Sequence, residues 1–129
     1  MIAVDTNVIV RLLTGDDAKQ SARAKALFER EEILLPKTVL LETDWVLRRL
    51  YAFPAKEVAS ALLGLISLPN IQGEDASVVA IALGWVQKGM DFADDLHLAS
   101  SGKAEKFATF DAKFAKQATK HSGLAVVSP

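Results

Sequence analysis

The stretch that decides the fold is MIAVDTN, residues 1–7, in which a short apolar run stops abruptly at an acid. Such a run is typical of a short buried strand, and Asp5 is then the first residue after that strand. Residues 7–13 continue as a short apolar helix, which Thr14 and Gly15 stop. The chain is therefore predicted to open as a strand and a helix with a carboxylate at their junction.

The same alternation of short apolar strands and amphipathic helices continues to the end of the chain. Further strands are predicted at residues 33–35, 70–72, 107–110 and 124–127. Helices are predicted from Asp16 or Asp17 to 30, and at 38–51, 56–67, 75–88, 91–101 and 111–119. This order indicates an α/β domain with a mostly parallel sheet, in which functional sites form at the carboxyl ends of the strands.

Length and composition describe an ordinary domain. The 129 residues are half hydrophobic, which is enough to bury a core without disulfides or a structural metal. No repeat or linker divides them, so a single domain over residues 1–129 is predicted. The opening residues are not a secretory signal, and the most apolar later stretch, 58–68, is too short to cross a bilayer. We therefore expect a cytoplasmic protein with no membrane partner.

Charge and cysteine content exclude some kinds of site. The chain has 15 basic and 16 acidic residues, whereas a protein that holds nucleic acid by charge alone is more basic. Nucleic-acid binding here would need a local basic patch, a bound metal or a partner chain. There is no cysteine, which removes thiolate catalysis and cysteine-ligated zinc.

Three aspartates occupy the positions where such a fold places functional groups. Asp5 and Asp111 each follow a predicted strand, and Asp94 lies in the first turn of a predicted helix, where the helix dipole favours an anion. Each also has a structural explanation, because an aspartate at a helix start can simply cap it. Asp91 and Asp94 are themselves spaced as a cap and its partner.

A fourth acid, Glu42, is predicted to lie on an inward helix face. Val39, Val46 and Leu50 form an apolar stripe at helical spacing, and Glu42 falls within it. An acid on such a face is costly unless it is paired or bound to a metal. The alternative is a carboxylate at the rim that pairs with Arg49.

Together the four acids predict a metal site. Carboxylates that converge on one sheet edge repel each other unless a hard cation neutralises them, and oxygen ligands suit Mg²⁺ or Mn²⁺. With no cysteine and two histidines, a zinc site is disfavoured. Metals of this kind activate a water molecule for attack on a phosphoryl group.

At this point the chain resembles the PIN-domain ribonucleases, specifically the small VapC-like toxins of toxin–antitoxin pairs. The resemblance runs over almost the whole length and depends on the order and spacing of four short motifs. These are VDTN at 4–7, VLLETDWVL at 39–47, DFADDLHLA at 91–99 and TFD at 109–111.

The resemblance implies a three-layer α/β/α fold with a central, mostly parallel sheet of about five short strands. It implies a Mg²⁺- or Mn²⁺-dependent endoribonuclease that cuts RNA, pairs with an antitoxin protein and forms a homodimer. By analogy the acidic tetrad is Asp5, Glu42, Asp94 and Asp111, with Asn7 and Thr109 in supporting positions. Asp95 stands where relatives often carry a small residue, and we interpret it as a solvated neighbour outside the tetrad.

Candidate phosphate contacts are the basic residues in segments that border the acids. They are Arg11, Arg48, Arg49, Lys113 and Lys116. Reversing the charge of such a residue weakens RNA binding and its salt dependence if the residue contacts phosphate.

Other classes of protein remain as alternatives. A haloacid-dehalogenase-type phosphohydrolase usually carries a second aspartate two residues after the first, where this chain has Asn7. A phosphoacceptor receiver domain needs paired acids after the first strand, and these are missing. A non-catalytic module of PIN fold that only binds RNA or protein is the third alternative, and the complete set of acids argues against it.

Overall fold

Five short strands and seven helices alternate along the chain. A computed structural model describes residues 1–129, which divide into two units, Met1–Ala76 and Ser77–Pro129. The first contains β1 (Ile2–Ala3), α1 (Thr6–Thr14), α2 (Ala18–Arg30), β2 (Ile33–Leu35), α3 (Lys37–Arg49), α4 (Ala55–Ile66) and β3 (Ile71–Gly73). The second contains α5 (Ala76–Val86, beginning at the boundary), α6 (Phe92–Ala99), β4 (Lys106–Ala108), α7 (Ala112–Ser122) and β5 (Ala125–Val127).

The first unit contains a three-stranded parallel sheet with β2 in the middle. Ile33 of β2 lies opposite Ile2 of β1 and Ile71 of β3. Ile33 and Leu35 are completely buried, as expected for the central strand of a parallel sheet that is covered by helices. Helix α1 packs against α2 and α3, and α3 packs against α4.

The second unit is built on a parallel pair, β4 and β5, in which Phe107 lies opposite Val126. Its core joins α6 to α7 through Leu98, Phe114 and Ala118, and Trp85 packs against this cluster. The five strands and their parallel pairing confirm the predicted α/β class. The five strands form two separately hydrogen-bonded sheets, one of three strands and one of two.

Aspartates begin four of the helices. Asp5, Asp17, Asp91 and Asp111 each accept a hydrogen bond from a backbone N–H in the first turn of the helix that follows. This is the capping that the sequence allowed for them, and it fixes where each carboxylate lies. Helix α3 begins at Lys37, one residue before the predicted start, and it follows Pro36 with no side-chain cap.

Several boundaries differ from the prediction by a few residues. The fourth strand ends at Ala108 instead of residue 110, so two residues separate it from Asp111. Likewise Val4 separates β1 from Asp5. Both acids therefore sit on the turn between strand and helix, as caps. No helix has the length and apolar content needed to span a membrane.

Candidate active site

Asp5 lies at the junction of β1 and α1, with an exposed side chain. Its Oδ1 accepts a hydrogen bond from the backbone N–H of Val8 at 3.3 Å. Only one oxygen is used for the cap, so the carboxylate keeps most of its capacity to bind a cation. Position and exposure are those of a group that can be both a helix cap and a metal ligand.

Glu42 of α3 is linked to this junction through Thr6, the residue that follows Asp5. The Thr6 hydroxyl donates a short hydrogen bond to Oε1 of Glu42. Thr6 is buried, so its hydroxyl has few alternative orientations. Within the first unit, two of the predicted acids are therefore brought to the start of α1, and one threonine orients the second of them.

The prediction that Glu42 lies on the inward face of its helix is wrong. Glu42 is exposed, and Leu50, one member of the predicted stripe, is 69% exposed. The buried face of α3 instead carries Leu40, Thr43, Asp44 and Leu47, which are spaced three and four residues apart. Glu42 lies beside this stripe and is free to bind a partner outside the core.

The acid that α3 does bury is Asp44, which is 3% exposed. Arg48, one turn later, donates three hydrogen bonds to it, from Nε to Oδ1 at 3.0 Å, from Nε to Oδ2 at 3.1 Å and from Nη2 to Oδ2 at 2.9 Å. This fork-like pairing satisfies a buried charge within one helix. Asp44 is thus part of the structure of α3, and Arg48, a candidate phosphate contact, is occupied by it.

In the second unit, Asp94 lies in the first turn of α6 and is partly buried. Its backbone N–H donates to Oδ2 of Asp91 at 3.4 Å, which is the capping relation expected from their spacing. Burial raises the pKa of Asp94, the charges of Asp91 and Asp111 raise it further, and His97 opposes them. Asp94 and Asp111 therefore lie close enough for their negative charges to interact.

Asp111 caps α7 by accepting a hydrogen bond from the backbone N–H of Phe114 at 2.9 Å. Thr109 Oγ1 accepts from the backbone N–H of Asp111 at 3.1 Å, and the backbone N–H of Thr109 donates to the carbonyl of Val127 at 3.0 Å. Thr109 thus ties the turn that carries Asp111 to β5. Its contact is with the backbone of Asp111, which holds the position of the turn.

Asp95, the neighbour of Asp94, is not exposed as the sequence predicted. The interpretation as a solvated neighbour is wrong, because Asp95 is completely buried and neither carboxylate oxygen has a hydrogen-bond partner. Burial raises its pKa to about 8, with further contributions from the charges of Asp91 and Asp94. The signal that could have located it is its spacing, since Phe92, Asp95 and Leu96 fall on one helical stripe.

Asn7 occupies the first turn of α1 with an exposed side chain. It lines a cleft between α1 and α2, together with Arg11 and Arg23. Its position two residues after Asp5 is the one that the family resemblance implied for a supporting residue.

The donor atoms present suit a hard divalent cation. The candidate ligands offer only carboxylate oxygens, the atoms preferred by Mg²⁺ and Mn²⁺. The structure contains no group of three or more acidic or histidine side chains placed to hold one ion together. Each unit instead supplies a pair of acids, and Mg²⁺ commonly keeps several waters and takes one or two carboxylates. The residues therefore fit such an ion by their chemistry.

Comparison with known proteins identifies one family. A family model described as PIN domain matches residues 2–120. Among solved structures, the chain is similar to Mycobacterium tuberculosis VapC20, described as a Sarcin-Ricin loop cleaving toxin. The two share 23% sequence identity, with a TM-score of 0.46 and 100% of each chain covered. No curated protein matches the chain significantly.

Proposed function

Because this chain belongs to the PIN-domain family, we propose that it is a divalent-metal-dependent endoribonuclease. One observation carries the proposal: each unit places a capping aspartate at a turn between strand and helix and brings a second acid near it. In the first unit Thr6 connects Glu42 to the turn of Asp5. In the second, Asp111 and Asp94 interact through their charges.

In this proposal Asp5, Glu42, Asp94 and Asp111 hold Mg²⁺ or Mn²⁺. When bound, such an ion supplies positive charge that activates water and stabilises charge developing on the phosphoryl oxygens. Thr6 orients the Glu42 carboxylate by donating a hydrogen bond to it. Asn7 is a supporting residue at the edge of the site.

In the second unit, the environment of Asp94 disfavours its negative charge. The pKa of Asp94 is raised by burial and by neighbouring acids, so its ionised form gains from a nearby cation. Thr109 keeps Asp111 in position through the backbone of the turn. These features support a role for both residues in binding a positive ion.

The biological role that we propose is that of the toxin in a toxin–antitoxin pair, and it rests on the resemblance of the sequence motifs to VapC-like toxins. The corresponding partners are an RNA substrate, a cognate antitoxin protein and a second copy of the chain. The single-domain organisation over residues 1–129 is part of this proposal.

The function is tested by comparing two capping aspartates that differ in position. Asp5→Asn and Asp17→Asn each remove one carboxylate at a helix start, and asparagine caps as well as aspartate does. With a structured RNA and Mg²⁺ or Mn²⁺, we expect Asp5→Asn to lower the cleavage rate by about 100-fold, in line with losses at metal sites. Asp17→Asn should cleave like the wild type, and EDTA should stop both.

Two results would contradict the proposal. One is equal cleavage by folded Asp5→Asn and wild-type protein. The other is RNA binding by the wild type without cleavage in either metal, which would favour a non-catalytic PIN-fold module.

A further inference from the structure

Two clefts of similar size, about 580 and 570 Å³, border α2 and differ in charge. The first, between α1 and α2, is lined by Arg11, Arg23 and Arg30 and by no acidic residue. We call it the arginine cleft. The second includes Glu29 and two further glutamates, so its basic residues face negative charge. Arg30 borders both clefts, and the arginine cleft is the one of the two that no acidic residue lines.

The three arginines of this cleft are not equally available. Arg11 already binds Asp16 at 3.1 Å, and it donates to Gln20 and to the Tyr51 hydroxyl. Arg23 is exposed and makes no salt bridge. Arg30 contacts only Glu31, at 3.4 Å between exposed side chains, a kind of pair that contributes little stability. Arg23 and Arg30 can therefore turn to an anion from outside.

The place of the cleft in the fold relates it to the proposed catalytic acids. Asn7 lines the cleft and lies two residues after Asp5. The cleft thus begins in the first turn of α1, the helix that Asp5 caps, and continues along α1 and α2. A chain-like ligand bound at Asp5 could extend into it without leaving the first unit.

The spacing of the two available arginines fits a ligand with repeated negative charges. Arg23 and Arg30 are seven residues apart on α2, a rise of about 10 Å along the helix axis. The two side chains leave the helix two turns apart, so each guanidinium can engage its own phosphate. Guanidinium groups bind phosphate in a two-pronged geometry, and apolar Leu27 between them offers contact to a sugar or base.

We propose that the arginine cleft binds the RNA strand on one side of the cut, with Arg23 and Arg30 on separate phosphates. The inference rests on the proposed function, because RNA is the substrate in both. It also changes the candidates chosen from the sequence. Arg11 and Arg48 are held by aspartates within the protein, and the positively charged path is supplied by two residues of α2.

The test is RNA affinity measured without cleavage. A fluorescein-labelled single-stranded RNA of about 20 nucleotides is titrated in EDTA with the double variant Arg23→Ala/Arg30→Ala and followed by anisotropy. The matched control is Lys19→Ala/Lys25→Ala, which removes two exposed positive charges from α2 outside the arginine cleft. Alanine favours helix at all four positions, so both variants should stay folded.

We expect the arginine variant to raise the Kd about tenfold and to flatten the slope of log K against log salt by about 1.4, for two lost phosphate contacts on a single strand. The lysine control should stay close to wild type in both quantities. Equal effects in the two variants would overturn the proposal, as would a wild type that binds no RNA in EDTA, since the arginine contacts need no metal.

Two further results distinguish this proposal from a protein ligand in the cleft and from the proposed nuclease function. In the first, an acidic peptide of alternating Asp and Glu binds the wild type but not the Arg23→Ala/Arg30→Ala variant, while the RNA affinity of the variant is unchanged. That result would assign the cleft to a protein partner and overturn the proposal. RNA binding that depends on both arginines in a wild type that cleaves nothing would support the cleft and reject the nuclease function.

Discussion

Helices α3 and α6 each bury one aspartate, and they treat it differently. Asp44 of α3 is 3% exposed and is held by Arg48 on the same helix. Asp95 of α6 is completely buried, and neither of its oxygens has a partner. Each of these residues lies close in sequence to a candidate ligand, Glu42 in α3 and Asp94 in α6.

The difference shows that a buried carboxylate has a positively charged partner in α3 and has none in α6. In α3 the buried acid is neutralised by an arginine, and Glu42 receives a hydrogen bond from Thr6. In α6 the two neighbouring acids both have a raised pKa, because burial and nearby acids disfavour their charged forms. A proton or a nearby cation is therefore favoured at these two acids of α6.

The largest effect on stability is expected from breaking the internal pair of α3. Arg48→Met keeps the apolar stem but leaves Asp44 as a buried acid without its main partner. We expect the free energy of unfolding to fall by about 3–5 kcal/mol, the usual cost of breaking a buried ion pair. Arg49→Met, at the exposed neighbouring position, is the control and should change little. Urea denaturation measures both, and equal stabilities would contradict the role given to Arg48.

A smaller effect of opposite sign is expected from removing Asp95. The unfolded chain ionises this carboxyl near its usual pKa of about 4, whereas the folded protein ionises it at about 8. Between these values the folded state binds more protons at this carboxyl, so the contribution of Asp95 to stability is fully present below pH 4 and is lost as the pH rises through about 8. Asp95→Ala should therefore stabilise the protein by about 2–3 kcal/mol at pH 8, after allowing for the space that alanine leaves.

Asp95→Asn separates the effect of losing the ionisable group from the effect of the cavity that alanine leaves. It keeps the shape of the side chain and removes the titration, so it should flatten the pH dependence as much as Asp95→Ala does. Thermal denaturation from pH 4 to pH 8 measures this for both variants. A wild-type protein whose stability is constant or rises over that range would contradict the account of Asp95.

The order of elements and the capping aspartates could be predicted from the sequence, because they depend on local patterns. Residues 33–35 form a strand as predicted, and Asp17 caps α2 as one of its two predicted alternatives. Asp5 and Asp111 were assigned to turns between strand and helix for the same reason, since an acid after an apolar run has few other positions.

The directions of side chains on α3 and α6 could not be predicted in the same way. On α3 two apolar stripes lie one residue apart in phase, and only packing against α1 and α4 decides that Asp44 points inward and Glu42 does not. The prediction for α6 followed the usual preference of acids for solvent. In the structure, burial follows the helical spacing set by Phe92 and Leu96 instead. Both errors concern which of two closely spaced acids is buried, Glu42 or Asp44 on α3 and Asp94 or Asp95 on α6.

We propose that carboxylates at the starts of α1, α6 and α7, together with Glu42 of α3, bind a divalent cation, and a Mn²⁺ titration of the whole chain by calorimetry tests this most directly. We predict that the wild type binds Mn²⁺, that Asp5→Asn and Asp94→Asn each weaken binding by about tenfold or more, and that Asp17→Asn binds like the wild type. No Mn²⁺ binding by the folded wild type, or the same affinity in all four proteins, would contradict the claim.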